Sequence, residues 1–134
     1  MKKIEHIGIA VKDLDVSNNL FAALFGKAHY KTEKVESEGV ITSFFKAGPN
    51  KIELLQATNA ESPIAKFIEK NGEGIHHIAF AVADIEKEIE RLKKEGFKMI
   101  HEKAKIGADN KLIAFLHPKS TNGVLIELCQ EIKE

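Results

Sequence analysis

The chain repeats itself. The stretch His6-Ile-Gly-Ile-Ala-Val-Lys-Asp-Leu-Asp15 returns as His77-Ile-Ala-Phe-Ala-Val-Ala-Asp-Ile-Glu86, and Ile52-Glu-Leu-Leu-Gln56 returns as Ile126-Glu-Leu-Cys-Gln130. Such a chain folds as two similar halves. Each copy opens with a histidine on an apolar run and closes with a glutamate on an apolar run. Pairing the copies brings two imidazoles and two carboxylates together, a donor set sufficient for a divalent metal.

Alternation along the strands sharpens this. Residues 4–11 read as a strand with His6, Gly8 and Ala10 on one face and Ile7, Ile9 and Val11 on the other. Residues 75–82 repeat it, with His77, Ala79 and Ala81 facing one way and Ile78, Phe80 and Val82 the other. The branched and aromatic faces suit packing under a helix. The Gly and Ala faces leave room beside the histidines. Glu53 and Glu127 lie inside apolar strands, where an unpartnered carboxylate costs several kcal/mol or more. A cation offsets that cost, and imidazole with carboxylate is ordinary ligation for Co, Ni, Zn or Mn. The repeat aligns His77 with His6, so His76, aligned with Glu5, reads as structural. His29 and His101 read as surface residues, and His117 as a strand end or pocket rim. Cys129, in an apolar strand, reads as core.

The remaining elements follow from local signals. Asp13 or Asp15 caps a helix whose apolar stripe is Val16, Leu20 and Leu24 and which Gly26 stops. Residues 40–46 and 51–56 read as strands about a Gly48-Pro49-Asn50 turn, with a further strand near 29–36. Ser62-Pro63 starts a connector helix running to about Asn71-Gly72. In the second half Asp84 caps a helix with stripe Ile85, Ile89 and Leu92. Strands follow at 111–117 and 124–130, with another expected at 97–102.

Bulk properties exclude several classes. The 134 residues fit one compact domain or two small halves. The charges cancel to zero, which gives no basic surface for nucleic acid. The single cysteine forms no internal disulfide. No apolar run approaches the ~20 residues of a membrane helix, and no phosphate loop or nucleophile elbow is present. A soluble cytoplasmic protein is expected.

The chain resembles the vicinal oxygen chelate family, the glyoxalase/bleomycin-resistance/dioxygenase group, and within it the methylmalonyl-CoA epimerases. The matching stretches are His6-Ile-Gly-Ile-Ala-Val, Lys51-Ile-Glu-Leu-Leu, Ser62-Pro-Ile-Ala-Lys-Phe-Ile, Gly74-Ile-His-His-Ile-Ala-Phe, Lys105-Ile-Gly and His117-Pro-Lys-Ser-Thr-Asn-Gly-Val-Leu-Ile-Glu-Leu. The resemblance implies an α+β fold of two tandem βαβββ modules forming a curled mixed sheet around a metal site. Module 1 spans about residues 1–58, the connector helix 62–71 and module 2 residues 74–134. It places metal ligands at His6, His77 and Glu127, and the fourth at Glu53, where some epimerases have Gln; these are the four that the repeat selects.

The implied activity is epimerisation of methylmalonyl-CoA by C2 proton abstraction and return through a metal-stabilised enolate. One departure is Thr42. Some epimerases carry a separate catalytic glutamate at that place, and threonine is no carboxylate base. In relatives with glutamate at both metal-carboxylate positions those two residues shuttle the proton, which points to Glu53 and Glu127 here. The expected substrate is an acyl thioester, with Lys119, Lys111 and Lys46 as candidate contacts for its CoA tail, and a homodimer is the default assembly. Two other readings share the fold. Glyoxalase I, lactoylglutathione lyase, acts on the glutathione hemithioacetal of methylglyoxal, but glutathione binding there relies on arginine and Arg91 is the sole arginine. Non-enzymatic drug-binding resistance proteins typically lack the ligand quartet. A ring-cleaving dioxygenase needs a further His or Tyr acid–base, and Tyr30, the sole tyrosine, lies outside the core strands.

Overall fold

A computed structural model describes residues 1–132. The chain forms two compact units, His6–His76 and, in the other, Met1–Glu5 together with the residues from His77 onward. Each has the order strand, helix, three strands, so the fold is α+β and built of paired βαβββ modules.

The first module comprises β1 (Lys3–Ala10), α1 (Leu14–Phe25), β2 (Lys31–Val35), β3 (Val40–Ala47) and β4 (Asn50–Ala57), followed by the connector α2 (Pro63–Asn71). Its strands lie in the order β2-β3-β4-β1. β1 and β4 are parallel, and the other pairs antiparallel. The β3–β4 hairpin turns on Gly48-Pro49, with Gly48 at φ 64°, a left-handed conformation that favours glycine. Asp13 caps α1 by accepting from the Val16 N–H at 3.1 Å, and Gly26 ends it at φ 71°. Ser62 caps α2, with Pro63 as its first residue.

The α1 stripe corrects the sequence expectation. Val16, Leu20 and Leu24 are 64%, 64% and 69% exposed. Leu14, Phe21 and Phe25 pack instead on Val11, Phe45 and Leu54 of the sheet. The helix carries two apolar stripes, and the one with the aromatic rings won: Phe25 and Phe45 lie 5.6 Å apart, Phe21 and Phe25 5.9 Å. The opposite sheet face, with Ala10, Val40 and Leu55, is covered by Ile64, Phe67 and Ile68 of α2.

The second module comprises β5 (Gly74–Ala81), α3 (Ile85–Lys94), β6 (Lys105–Gly107), β7 (Lys111–Leu116) and β8 (Ile126–Glu131). Its order is β5-β8-β7-β6, with β5 and β8 parallel. The Lys2 N–H donates to the Ala81 carbonyl at 2.8 Å, which ties the chain's first residues to this unit. Here the expected stripe holds: Ile85, Ile89 and Leu92 pack on Val82, Ala114, Leu116 and Leu128. The strand expected at 97–102 does not form. Met99 makes one isolated bridge to Leu116, and pairing resumes only at β6. At the end of β6 an added Cβ on Gly107 would meet Ile113 Cδ1 at 2.6 Å, so the isoleucine side chain packs close against the glycine. No helix of the described residues is long and apolar enough to cross a membrane.

One device occurs twice. The Gln56 side-chain oxygen accepts from the Leu14 N–H at 2.6 Å, and the Gln130 side-chain oxygen from the Ile85 N–H at 2.7 Å. Each glutamine lies three residues beyond its Glu and satisfies the first N–H of its module's helix. Beside it the Val11 N–H donates to Leu55 O, and the Val82 N–H to Cys129 O, both at 2.9 Å. Gln56→Met and Gln130→Met, which remove the acceptor and keep the bulk, should each lower unfolding free energy in urea by about 1–2 kcal/mol.

Candidate functional site

The parallel register sets the chemistry. Gly8 pairs with Glu53 in β1/β4, and Ala79 with Glu127 in β5/β8. Partners in a ladder turn their side chains to the same face, so each glutamate shares the face of the histidine two residues before its partner. His6 Nδ1 lies 3.1 Å from Glu53 Oε2, and His77 Nε2 lies 2.9 Å from Glu127 Oε1. All four side chains are buried, at 4–5% exposure.

The four residues thus form two imidazole–carboxylate pairs, one within each unit. The pairs have the same surroundings. On one side of each glutamate stands a small residue, Gly8 or Ala79. On the other stands a phenylalanine, Phe44 opposite Glu53 and Phe115 opposite Glu127. The Phe115 ring meets His77 edge-on at 5.7 Å. These phenylalanines and the two glutamines escaped the sequence reading. The glutamines were visible in it, as the last letter of each repeated Ile-Glu-Leu-x-Gln run.

The donor set suits a metal. Two ligand atoms at about 2.1 Å from one ion and at right angles to it are about 3.0 Å apart. Both nitrogen–oxygen separations match that spacing. A neutral imidazole and an ionised carboxylate are also the forms a divalent ion binds.

The other candidates fall outside these pairs. His76 packs edge-on against Phe67 with ring centroids 5.0 Å apart, a structural role. His29 is half-buried against Phe45 at 5.8 Å rather than on the open surface, whereas His101 is exposed. His117 ends β7, its Nδ1 accepting from the Lys119 N–H at 3.1 Å. Cys129 is buried among Ala79, Ile113 and Phe115. Thr42 is buried on the face of Glu53, opposite Leu55, and its hydroxyl has no hydrogen-bond partner among the described residues. Of the lysines, Lys46 lies over the exposed Tyr30 ring, Lys119 is exposed, and Lys111 is buried with its Nζ 3.5 Å from Glu131 Oε1. Arg91 pairs along α3 with Glu88.

Residues 5–115 match the family model of the Glyoxalase/Bleomycin resistance protein/Dioxygenase superfamily. The chain belongs to this superfamily. It is 41% identical over 127 residues to the mitochondrial methylmalonyl-CoA epimerase of Dictyostelium discoideum, covering 94% of this chain and 76% of that protein. It is 39% identical over 130 residues to the ethylmalonyl-CoA/methylmalonyl-CoA epimerase of Cereibacter sphaeroides, covering 96% and 97%. A solved methylmalonyl-CoA epimerase in complex with methylmalonyl-CoA and NH4+ superposes with a TM-score of 0.93 at 35% identity, covering 98% and 95%.

Ala79 tests the space beside the glutamate. Its side chain is wholly buried, so Ala79→Leu should overpack this face and cost about 1–3 kcal/mol in chemical denaturation.

Proposed function

We propose that this protein is an epimerase of methylmalonyl-CoA, in which His6, Glu53, His77 and Glu127 together hold one divalent cation. The observation that carries the reading is the pair of buried imidazole–carboxylate couples at equivalent places in the repeat. The named relatives, epimerases that match nearly the whole chain, support this activity over the hemithioacetal lyase and the drug binder.

The reaction removes the C2 proton of the acyl group and returns one on the opposite face. Held by these four residues, a divalent cation would supply Lewis-acid neutralisation of the substrate carboxylate and of charge developing on the thioester oxygen. The residues do the rest. One glutamate, Glu53 or Glu127, takes the proton at a carboxylate oxygen, and the other, in its acid form, donates to the far face of C2. The repeat makes the two chemically alike, which suits a reaction that runs in both directions. Gly8 and Ala79 leave room for the acyl group, and Phe44 and Phe115 exclude water beside the carboxylates. Thr42 holds no transferable carboxylate proton and has no share in the transfer.

The test uses one stereoisomer of methylmalonyl-CoA with Co²⁺ in D₂O. Racemisation with deuterium entry at C2 is expected, and no exchange above background overturns the proposal. Glu127→Gln and Glu53→Gln should each slow exchange by at least about 100-fold, the ordinary contribution of an acid–base group. Thr42→Val should stay within a few-fold of the wild type. A large loss in that variant would return Thr42 to the mechanism. Chelation should abolish exchange and lower the melting temperature, and added Co²⁺ should restore both. In His77→Ala the same ion should leave the melting temperature nearly unmoved.

A further inference from the structure

One row of the repeat does not match. Two pairs along the ladder from each glutamate–phenylalanine pair, module 1 sets Val40 against Ala57 and module 2 sets Lys111 against Glu131. Val40 lies in an apolar cluster under α2. The βαβββ fold therefore does not itself demand charge at this place. Lys111 is buried all the same, with its side chain 10% exposed. A buried ammonium is rare without a close partner. The partner among the described residues is a loose one: Glu131 Oε1 stands 3.5 Å from Nζ, and the Glu131 side chain is 79% exposed.

Lys111 forms part of the wall of a cavity of about 310 Å³, at the small end of the range for ligand pockets. Lys2, Lys3, Glu5 and Glu131 supply its other charged groups, and Ala81, Val82 and Cys129 give it an aliphatic patch. Lys2 and Lys3 are exposed, at the rim, where the Lys2 N–H is tied to the Ala81 carbonyl. All these residues belong to one compact unit. His77 and Glu127 do not line the cavity. Lys111 stands four residues along β7 from Phe115, about 13 Å of strand away from the Glu127 row.

We propose that this cavity binds a small aliphatic dicarboxylate, with one carboxylate on Lys111 and the other on Lys2 and Lys3 at the rim. Charge selects this class. The lining carries three ammonium groups and two carboxylates. When an incoming carboxylate takes Lys111, Glu131 turns to solvent, where most of its side chain already lies. Among the lining residues three ammonium groups then stand against the Glu5 carboxylate, and a dianion balances them. The aliphatic patch takes the methylene spacer, a part that inorganic phosphate lacks. This site is independent of the four His and Glu side chains and of the epimerase reading.

Titration calorimetry of the full chain with succinate tests it, with propionate and inorganic phosphate as comparison anions. Succinate should bind saturably, and at least about 10-fold tighter than either comparison anion, the factor that one further charged hydrogen bond supplies. Lys111→Met should weaken succinate binding by about 10- to 100-fold. Lys2→Gln combined with Lys3→Gln should bring succinate down to the affinity of propionate. Glu131→Gln should strengthen succinate binding several-fold, because the resident carboxylate no longer competes for Lys111. An ion pair with a purely structural role gives no such gain. Dicarboxylates also bind metal ions, so His77→Ala serves as the control and should leave succinate binding unchanged. If Lys111→Met fails to unfold cooperatively, the exposed Lys2, Lys3 and Glu131 variants decide. Absence of saturable binding, phosphate bound as tightly as succinate, no gain in Glu131→Gln, or loss of binding in His77→Ala overturns the proposal. So does displacement of succinate by free coenzyme A, which would assign the cavity to a thioester tail.

Discussion

The pairing of β1 with β4, and of β5 with β8, is the constraint on which the site depends. A parallel pair cannot be closed by a hairpin, and each pair here is the first and last strand of its module. The intervening helix and strands span the connection. The register then decides which way Glu53 points. A slip of one residue would turn it to the other face, into the cluster of Phe45, Leu14 and Phe25. The glutamine clamp guards against that slip, because Gln56 and Gln130 bind a helix start only when their strand is in step. One short sequence run therefore places the carboxylate and locks its placement.

Burial gives the paired groups their chemical character. A carboxylate near water is solvated and indifferent to its neighbours. At 4% exposure Glu53 and Glu127 depend on the imidazole beside them and on whatever else offers positive charge. The small residue on one side admits a bound group. The phenylalanine on the other excludes water without competing for the carboxylate oxygens. Neither of these two flanking side chains carries a charge of its own.

Much of this was legible in the sequence because the repeat multiplies weak signals. One histidine on a strand says little, but the same histidine at the same offset in two copies separates His77 from His76. The helix caps at Ser62 and Asp84, and the α1 cap to within Asp13 or Asp15, were legible for a different reason, since a cap is a local event settled by a few residues. The failures came where two local solutions were equally good. α1 offers two apolar stripes, and only the ring packing of Phe21, Phe25 and Phe45 chooses between them. The second strand of module 2 was misplaced because its pairing begins only at β6, and that pairing is with residues of a different strand. The phenylalanines beside the glutamates were hidden likewise, since a cross-strand neighbour is defined by register and not by sequence distance.

The two modules agree at the histidine, the glutamate, the phenylalanine and the clamp, and they differ one row away. Thr42 of the first module stands where the second has Ile113. The apolar cross-strand pair Val40 and Ala57 becomes the charged pair Lys111 and Glu131. The first row beneath the helix α2 is thus apolar and covered, while its counterpart carries a lysine buried beside a carboxylate. On the epimerase reading this division has a physical reason. Two alike carboxylates let a proton leave either face of C2 and return to the other. The substrate itself is lopsided, a small charged acyl group on a long thioester tail, and it needs unlike surroundings at its two ends to be held in one orientation. On that reading symmetry in the proton carriers and asymmetry around them are both required, and a duplicated module that diverges outside its histidine and glutamate rows would supply the two at once.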